Sequence, residues 1–331
     1  CRNIVICYPD VTCFQRYIVL LCAVSLLGFS AAGRLLVGGH AVAYDAASGR
    51  MLCVVPVEVF GSDFTAVVEL TDTTSAAAWR DVTVNGVAIA GGAEVTFAAP
   101  GPEQAYAVTA TDSKGRAVEA ELVFTYHPVV DISLTKPTKE YQACTVRVLQ
   151  SDTCITSMAK VKIRGGYTSQ DWLHKKNFHI KFTDADGVKT DHELLGLRTD
   201  NSWILDAGQV EETRMRNHVA TELWNSYARK PYYASMEPKA RGGVRGEPVE
   251  VFLGGSYFGV YVLTEAMDRK QMRLRKYDAA TGEVRGRLWK TVTKTSSTMM
   301  TATTPYDNTL EEWDGTEVKY PDIEELSPTD Y

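Results

Sequence analysis

The densest group of side chains that could do chemistry lies in the stretch VKIRGGYTSQDWLHKKNFHIKF, residues 161–182. Two strand-like runs flank a glycine-containing polar turn, and basic residues lie at both ends of that turn. Backbone N–H groups at such a turn, together with nearby ammonium groups, can bind a phosphate. The alternative is an ordinary β-hairpin whose basic residues discourage aggregation. The groups concerned are Arg164, Gly165, Gly166, Thr168, Ser169, Lys175 and Lys176.

A second candidate group lies in NSWILDAGQVEETRMRN, residues 201–217. Asp206 ends a strand-like run, and Arg216 and Asn217 fall on a predicted helix. Glu211 and Glu212 suit the first turn of that helix through its dipole. Asp206 and Arg216 could organise a cleft, and the alternative is helix capping with surface ion pairs.

A third candidate is Glu265, which ends the stretch VEVFLGGSYFGVYVLTEAMDRK, residues 249–270. Two strand patterns are joined there by Gly254 and Gly255, which support a tight turn. The second strand leads into the acid and then into a predicted basic helix. Since a structural hairpin needs no such ending, we expect Glu265 to have a functional role.

Several familiar site patterns are absent from the sequence. Neither G-x-x-x-x-G-K-[ST] nor G-x-G-x-x-G occurs, and there is no G-x-S-x-G nucleophile elbow. The sequence DADG at residues 184–187 lacks the later ligands of a calcium loop and is predicted to be a turn. The histidines lack metal-ligand spacing, so no metal site is predicted.

The elements that would position these groups indicate an α+β chain with two domains. Residues 34–130 contain short alternating runs separated by turn signals, which predicts an all-β, immunoglobulin-like sandwich. Residues 131–331 are mixed, with strands, a hairpin at 249–270 and another expected at 274–290. A helix is expected within 211–230. Its predicted apolar face comprises Met215, Val219, Leu223 and Trp224.

Composition and the first residues predict an exported protein. A net charge of −6 over 331 residues gives no general reason to expect nucleic acid. Residues 1–33 resemble a signal peptide or an upstream segment, and no other membrane span is expected. In an oxidising compartment, Cys144 and Cys154 could bridge neighbouring strands.

Five blocks occur in a characteristic order: KIRGGYTSQ, KKNFHIKF, LLGLRTDNSWILDAG, RMRNHVATELW and VEVFLGGSYFGVYVLTEAMDR. Together they make residues 160–270 resemble the CotH kinase family. This resemblance implies the N-terminal portion of an atypical protein-kinase-like domain over residues 131–331. It also implies ATP and Mg²⁺ as cofactors, and transfer of the γ-phosphoryl group to Ser or Thr of a secreted or surface protein.

The resemblance also assigns roles by position. Tyr257, Gly259 and Tyr261 match the family's hairpin, with Gly254-Gly255 replacing its usual Asn-Gly turn. Glu265 would lie at the edge of the nucleotide cleft, near the connection between two lobes. The implied nucleotide-binding residues are Arg164, Gly165, Gly166, Thr168, Ser169, Lys175, Lys176, Arg216, Asn217 and Glu265.

The catalytic residues are not predicted. In the family, the catalytic Asp and the metal-binding acids follow the hairpin. Here Trp313-Asp314 is followed by Gly315 and lacks the second Asp. We therefore expect an incomplete and inactive kinase domain.

Two other functions remain open. One is a non-catalytic surface adhesin or glycan-binding protein, with a degenerate kinase-like domain and aromatic platforms at Trp172, Trp289 and Trp313. The other is a secreted hydrolase with paired carboxylates, which is the weaker alternative because the spacing of its acids cannot be read from sequence.

Overall fold

The computed structural model describes residues 35–71, 79–101, 103–112, 114–284, 286–291, 309, 312–313 and 316–328. The predicted leader lies outside these residues. As expected, the described chain is mostly β, and it contains one α-helix. It divides into two compact units, residues 1–212 with 247–263, and residues 213–246 with 264–331.

The first part of the first unit is a nine-stranded sheet. Its strands are β1 Leu35–Val37, β2 His40–Asp45, β3 Arg50–Val54, β4 Phe64–Leu70, β5 Arg80–Val84, β6 Val87–Ala88, β7 Ala93–Phe97, β8 Ala105–Thr111 and β9 Ala117–Thr125. Their order across the sheet is β6-β5-β8-β9-β3-β2-β1-β4-β7. All neighbours are antiparallel except β3 and β9, which pair in parallel.

One hydrophobic core joins the strands of this sheet. Phe97 of β7 packs edge-to-face on Tyr106 of β8, with ring centroids 5.0 Å apart, although the two strands lie far apart in the sheet order. The Tyr106 hydroxyl donates to the Ala98 carbonyl at 2.7 Å. The sheet therefore folds over a single core. The immunoglobulin-like topology of this sheet stays a prediction.

The second part of the first unit is a closed barrel. Its strands are β10 Val129–Ile132, β11 Gln142–Leu149, β12 Cys154–Arg164, β13 Asn177–Thr183, β16 Ser202–Asp206, β17 Gly246–Leu253 and β18 Ser256–Glu265. Parallel pairing of β10 with β17 closes the ring. A small ladder of β14 His192–Glu193 with β15 Thr199–Asp200 lies between β13 and β16 in sequence.

Alternation along β12 and β13 explains their sequences. Val161, Phe178 and Ile180 are buried in the barrel core, whereas Lys160, Lys162 and Lys181 lie at the neighbouring positions on the other face. This is the period of two expected for strands with one buried face. The predicted runs AKVKIR and KNFHIKF therefore form two neighbouring strands, paired over residues 158–164 and 177–183.

A buried ion pair lies on the outer side of β10 and β11. Asp131 and Arg147 are directly opposite in the ladder, and Arg147 Nη2 donates to Asp131 Oδ2 at 2.6 Å. Both residues are buried. Nearby, Val129, Leu149 and Phe252 pack with residues of the nine-stranded sheet in a small shared cluster. Burial raises the pKa of Asp131, and Arg147 opposes that shift.

The second unit contains the α-helix and a small sheet. The helix, α1, spans Arg216–Tyr227. The sheet consists of β19 Leu288–Thr291, β21 Thr316–Tyr320 and β20 Glu312–Trp313, in that order. A 3-10 turn at Ile323–Glu325 follows, and Ile323 and Leu326 form a small cluster with Trp289 and Val318. No helix of the described residues is long and apolar enough to cross a membrane.

The helix differs from the sequence prediction in two ways. It begins at Arg216, so Glu211 and Glu212 precede it and do not occupy its first turn. No residue of α1 is buried, and the predicted apolar face is exposed at Met215, Val219, Leu223 and Trp224. The helix is attached instead by polar contacts, since the Trp224 indole N–H donates to the Gly242 carbonyl at 3.2 Å.

Two other predicted elements are wrong. The basic helix expected after Glu265 is a series of turns over residues 268–273, where the amide of Gln271 donates to Asp268 Oδ1 at 2.9 Å. The hairpin expected at 274–290 reduces to one bridge between Asp278 and Glu283. Its second arm, β19, pairs with β21 instead.

The cysteines are not bridged, because the register keeps them apart. Cys144 pairs with Ala159, and Cys154 pairs with Leu149. The two cysteines are thus offset by five residues along the ladder, since 149 minus 144 is five. That offset corresponds to roughly 17 Å, well beyond the reach of a disulfide. Both thiols are free.

Candidate functional site

The predicted anion-binding turn is a loop between β12 and β13. It leaves β12 at Arg164, turns through Gly165 and Gly166, and forms a 3-10 turn at Tyr167–Ser169. Gly165 has φ +97°, and a Cβ there would lie 2.0 Å from Thr168 Oγ1. A glycine is therefore required at this position, both by backbone conformation and by contact with the next turn.

The loop hydroxyls stabilise the loop itself. Thr168 Oγ1 donates to the Arg164 carbonyl at 3.2 Å, and Ser169 Oγ donates to the Gly166 carbonyl at 2.9 Å. Outside the 3-10 turn itself, no hydrogen bond of the described chain is donated by the backbone amides of Gly165, Gly166 or Tyr167. These amides, not the hydroxyls, are therefore the groups of the loop that can donate to an anion.

The two lysines that follow the loop contact its surroundings. Lys175 Nζ donates to the Val260 carbonyl at 2.7 Å and lies 4.3 Å from the ring centroid of Tyr261. Lys176 Nζ donates to the Gln170 carbonyl within the loop. The buried Tyr261 hydroxyl donates to the Lys176 carbonyl at 3.2 Å. Strand β18 thus holds this end of the loop.

An exposed aromatic pair accompanies the loop. Tyr167 and Trp172 are 53% and 60% exposed, and their rings meet edge-to-face with centroids 5.4 Å apart. Trp289, by contrast, is partly buried against its small cluster. The side chain of Trp313 lies outside the described part of the chain.

The remaining predicted residues belong to the second unit. Arg216 and Asn217 form the exposed start of α1. Glu265 is 2% exposed; it accepts the Arg245 amide N–H at 3.0 Å and Arg245 Nη2 at 3.1 Å. Glu265 therefore fastens the end of β18 to Arg245, a partner that no pattern in the sequence indicates.

A cavity of about 280 Å³ lies elsewhere in the first unit and contains none of the predicted residues. Its lining includes Arg50, Tyr126, His127, Glu250 and Tyr257. The Tyr257 hydroxyl donates to Glu250 Oε2, which with burial raises the pKa of Tyr257.

The described residues contain no group of three or more His, Cys, Asp or Glu side chains that could hold a metal ion. The predicted turn at Asp184 is confirmed, because Asp184 Oδ1 accepts the amides of Asp186 and Val188. The use of Mg²⁺ stays a prediction.

Comparison with known families identifies the class of protein. A family model described as CotH kinase protein matches residues 161–330, just over half of the chain. The chain therefore belongs to the CotH kinase family, which indicates a kinase-like function in general terms. The match begins within β12 and includes the loop, both lysines, α1 and Glu265. No curated protein sequence matches this chain.

Proposed function

We propose that this chain is a domain of an atypical protein kinase that binds ATP at the Gly165–Ser169 loop, with no catalytic acid assigned among its residues. The proposed reaction of the parent kinase transfers the γ-phosphoryl group to Ser or Thr of a secreted or surface protein. The observation that supports this most directly is a family match that includes this loop, in which the backbone amides of Gly165, Gly166 and Tyr167 donate no hydrogen bond within the described chain. Two ammonium groups follow that loop within the same strand connection.

The residues of this chain would act by binding and orientation. The amides of Gly166 and its neighbours would donate to phosphate oxygens, as backbone N–H groups of a turn do in other anion sites. Lys175 and Lys176 would neutralise phosphate charge while keeping the contacts that fix them. Positioning and charge stabilisation account for most of phosphoryl-transfer catalysis. When bound, Mg²⁺ would offset charge on the phosphates; no ligand or step is assigned to it.

Export is part of the same proposal. It rests on the leader-like pattern of residues 1–33, a basic residue before an apolar run and small residues after it. Secretion of the full-length precursor by an expression host, with loss of this segment, would support it. Retention of an uncleaved chain inside the cell would contradict it.

Thermal unfolding of the whole chain with and without MgATP tests the nucleotide-binding step. A ligand that binds only the folded state adds about 2.7 kcal/mol at a hundredfold excess over Kd. For a chain of this size we expect the unfolding temperature to rise by several degrees. GTP and inorganic phosphate serve as comparison ligands. An unfolding temperature that saturating MgATP leaves unchanged would contradict the proposal.

That negative result would favour the second candidate, a non-catalytic surface binding protein. The exposed Tyr167 and Trp172 pair supports it, because adjoining exposed aromatic side chains are typical of binding surfaces. Stabilisation by ATP without any phosphoryl transfer would instead favour a nucleotide-binding but inactive kinase domain.

A further inference from the structure

The outward side of β12 and β13 carries an uninterrupted set of cations. We call Lys160, Lys162, Arg164 and Lys181 the basic face. The first three alternate along β12, and Lys181 lies on β13 directly opposite Lys160. Like charges directly opposite in a ladder reduce stability. These opposed cations therefore lower the stability of the barrel, and its own folding does not require them.

Two of the four cations of this face lie over one aromatic ring. Lys162 Nζ lies 4.5 Å and Lys181 Nζ 4.9 Å from the ring centroid of Tyr141. The ring offers cation–π attraction to both ammonium groups but no counter-charge. The Tyr141 hydroxyl contacts His179 Nδ1 at 2.9 Å, so ring and imidazole form the centre of the face.

His179 gives independent support for the positive potential. Burial, and after it the charges of Lys181, Arg164 and Lys162 in that order, lower its pKa to about 4. At neutral pH the imidazole is uncharged and contacts Ser202 Oγ at 2.8 Å through Nε2. Three cations of the face thus act together on one group.

No carboxylate of the described chain neutralises the basic face. None of its four members forms an ion pair within the described residues. Buried cations elsewhere do have partners, as Arg147 has Asp131. Positive groups without acids in their own chain are complementary to an external anionic partner.

We propose that the basic face binds an extended acidic segment of the protein substrate, an inference that rests on the proposed kinase function. Alternate residues of a strand repeat at about 6.6–6.8 Å, and an extended peptide has the same repeat. Carboxylates on alternate residues can therefore meet Lys160, Lys162 and Arg164 in register. The barrel is closed, so the segment binds across these side chains and adds no strand to the barrel.

The position of the face suits this role. Arg164 ends β12, and the loop proposed to bind the phosphates begins at the next residue, Gly165. A substrate segment lying along β12 would run toward that loop. An acidic stretch near the phosphorylated Ser or Thr is the substrate feature that this arrangement recognises.

Binding of a fluorescein-labelled peptide of alternating Glu and Ser to the full chain tests the inference. The variant Lys160→Gln/Lys162→Gln/Lys181→Gln removes three charges and leaves Arg164 in place. The matched control Lys114→Gln/Lys230→Gln/Lys239→Gln removes three exposed lysines that are not part of the face. Circular dichroism establishes that both variants are folded.

We expect the face variant to bind the peptide roughly tenfold more weakly, since each exposed ion pair contributes a factor of about 1.4 to 5. The control variant should match wild type, and added salt should weaken wild-type binding. A peptide of the same composition with its Glu residues in one block should bind less well than the alternating peptide.

Three results would overturn the inference. The folded face variant could bind the alternating peptide as tightly as wild type does, or wild type could bind the block peptide as tightly as the alternating one. The third result is stronger competition by phosphatidylserine vesicles than by unlabelled peptide. The last would assign the face to a lipid surface. If MgATP stabilises the chain but the peptide does not bind, this inference is refuted and the kinase proposal is not. Absence of MgATP stabilisation with intact peptide binding refutes the kinase proposal alone.

Discussion

Replacing Gly165 with alanine perturbs the loop at the point where its geometry is most constrained. The new Cβ would lie 2.0 Å from Thr168 Oγ1, and the residue would have to keep φ +97° or move. The hydroxyl that is displaced is the one that donates to the Arg164 carbonyl. Gly165→Ala therefore combines backbone strain with the loss of one hydrogen bond.

The expected cost follows from these two contributions. A non-glycine residue in such a conformation costs about 1–3 kcal/mol. Loss of a hydrogen bond of this kind costs about 0.5–1.5 kcal/mol. We expect Gly165→Ala to lower the free energy of unfolding by about 2–4 kcal/mol. In a Thr168→Ala background the clash is absent, so the same change should cost about 1 kcal/mol less.

Urea unfolding of the two single variants and the double variant measures this cycle. Gly196→Ala is the matched control, because Gly196 has φ +66° and a Cβ there would meet nothing within 4 Å. The control should show backbone strain alone. If Gly165→Ala unfolds at the wild-type urea concentration, the constraint on this loop is wrong. If Gly165→Ala lowers the free energy of unfolding as much in the Thr168→Ala background as in wild type, the predicted clash between the new Cβ and Thr168 Oγ1 does not occur.

Three further predictions follow from buried or close contacts. Arg147→Met should lower the free energy of unfolding by about 3–5 kcal/mol, because it leaves the buried Asp131 charge unpaired. The double variant Asp131→Leu/Arg147→Met should lower it by less, because it leaves no unpaired charge. Equal urea midpoints for the two variants would contradict this expectation. Burial raises the pKa of Asp131 above 3.8, so the folded state holds that proton more tightly. The stability advantage of wild type over the double variant should fall as pH rises above about 3.8, and a rise measured by urea unfolding would refute the direction. Gly259 has φ +97°, and a Cβ there would lie 3.2 Å from Lys175 Nζ. Gly259→Ala should therefore lower the unfolding temperature and also weaken ATP binding. An unfolding temperature and an ATP affinity equal to those of wild type would contradict this expectation.

Local pattern in the sequence predicted the strands of this chain well. Val161 and Ile163 alternate with lysines; Val161 is buried in the barrel core and Ile163 packs against it. The glycine turn before Tyr167 was likewise visible, because only a turn accommodates that run of residues. The same alternation carried the signal for the basic face, whose side chains all lie at outward positions.

Long-range pairing was not predictable from these patterns. Parallel pairing of β10 with β17 joins residues 129–132 to residues 250–253 and closes the barrel. The offset between Cys144 and Cys154 likewise depends on register. A helical period predicted the apolar face of α1 but not whether another element covers it, since periodicity describes a face and not its partner.

The most direct test of the nucleotide site is the affinity of MgATP for Lys175→Gln/Lys176→Gln, measured by isothermal titration calorimetry. Charge-assisted hydrogen bonds contribute about 1.5–3 kcal/mol each, so we expect Kd to rise at least about tenfold. Lys114→Gln/Lys239→Gln should bind as wild type does. If the folded lysine variant binds MgATP with the wild-type Kd, the loop between β12 and β13 is not where this kinase-family chain holds its nucleotide.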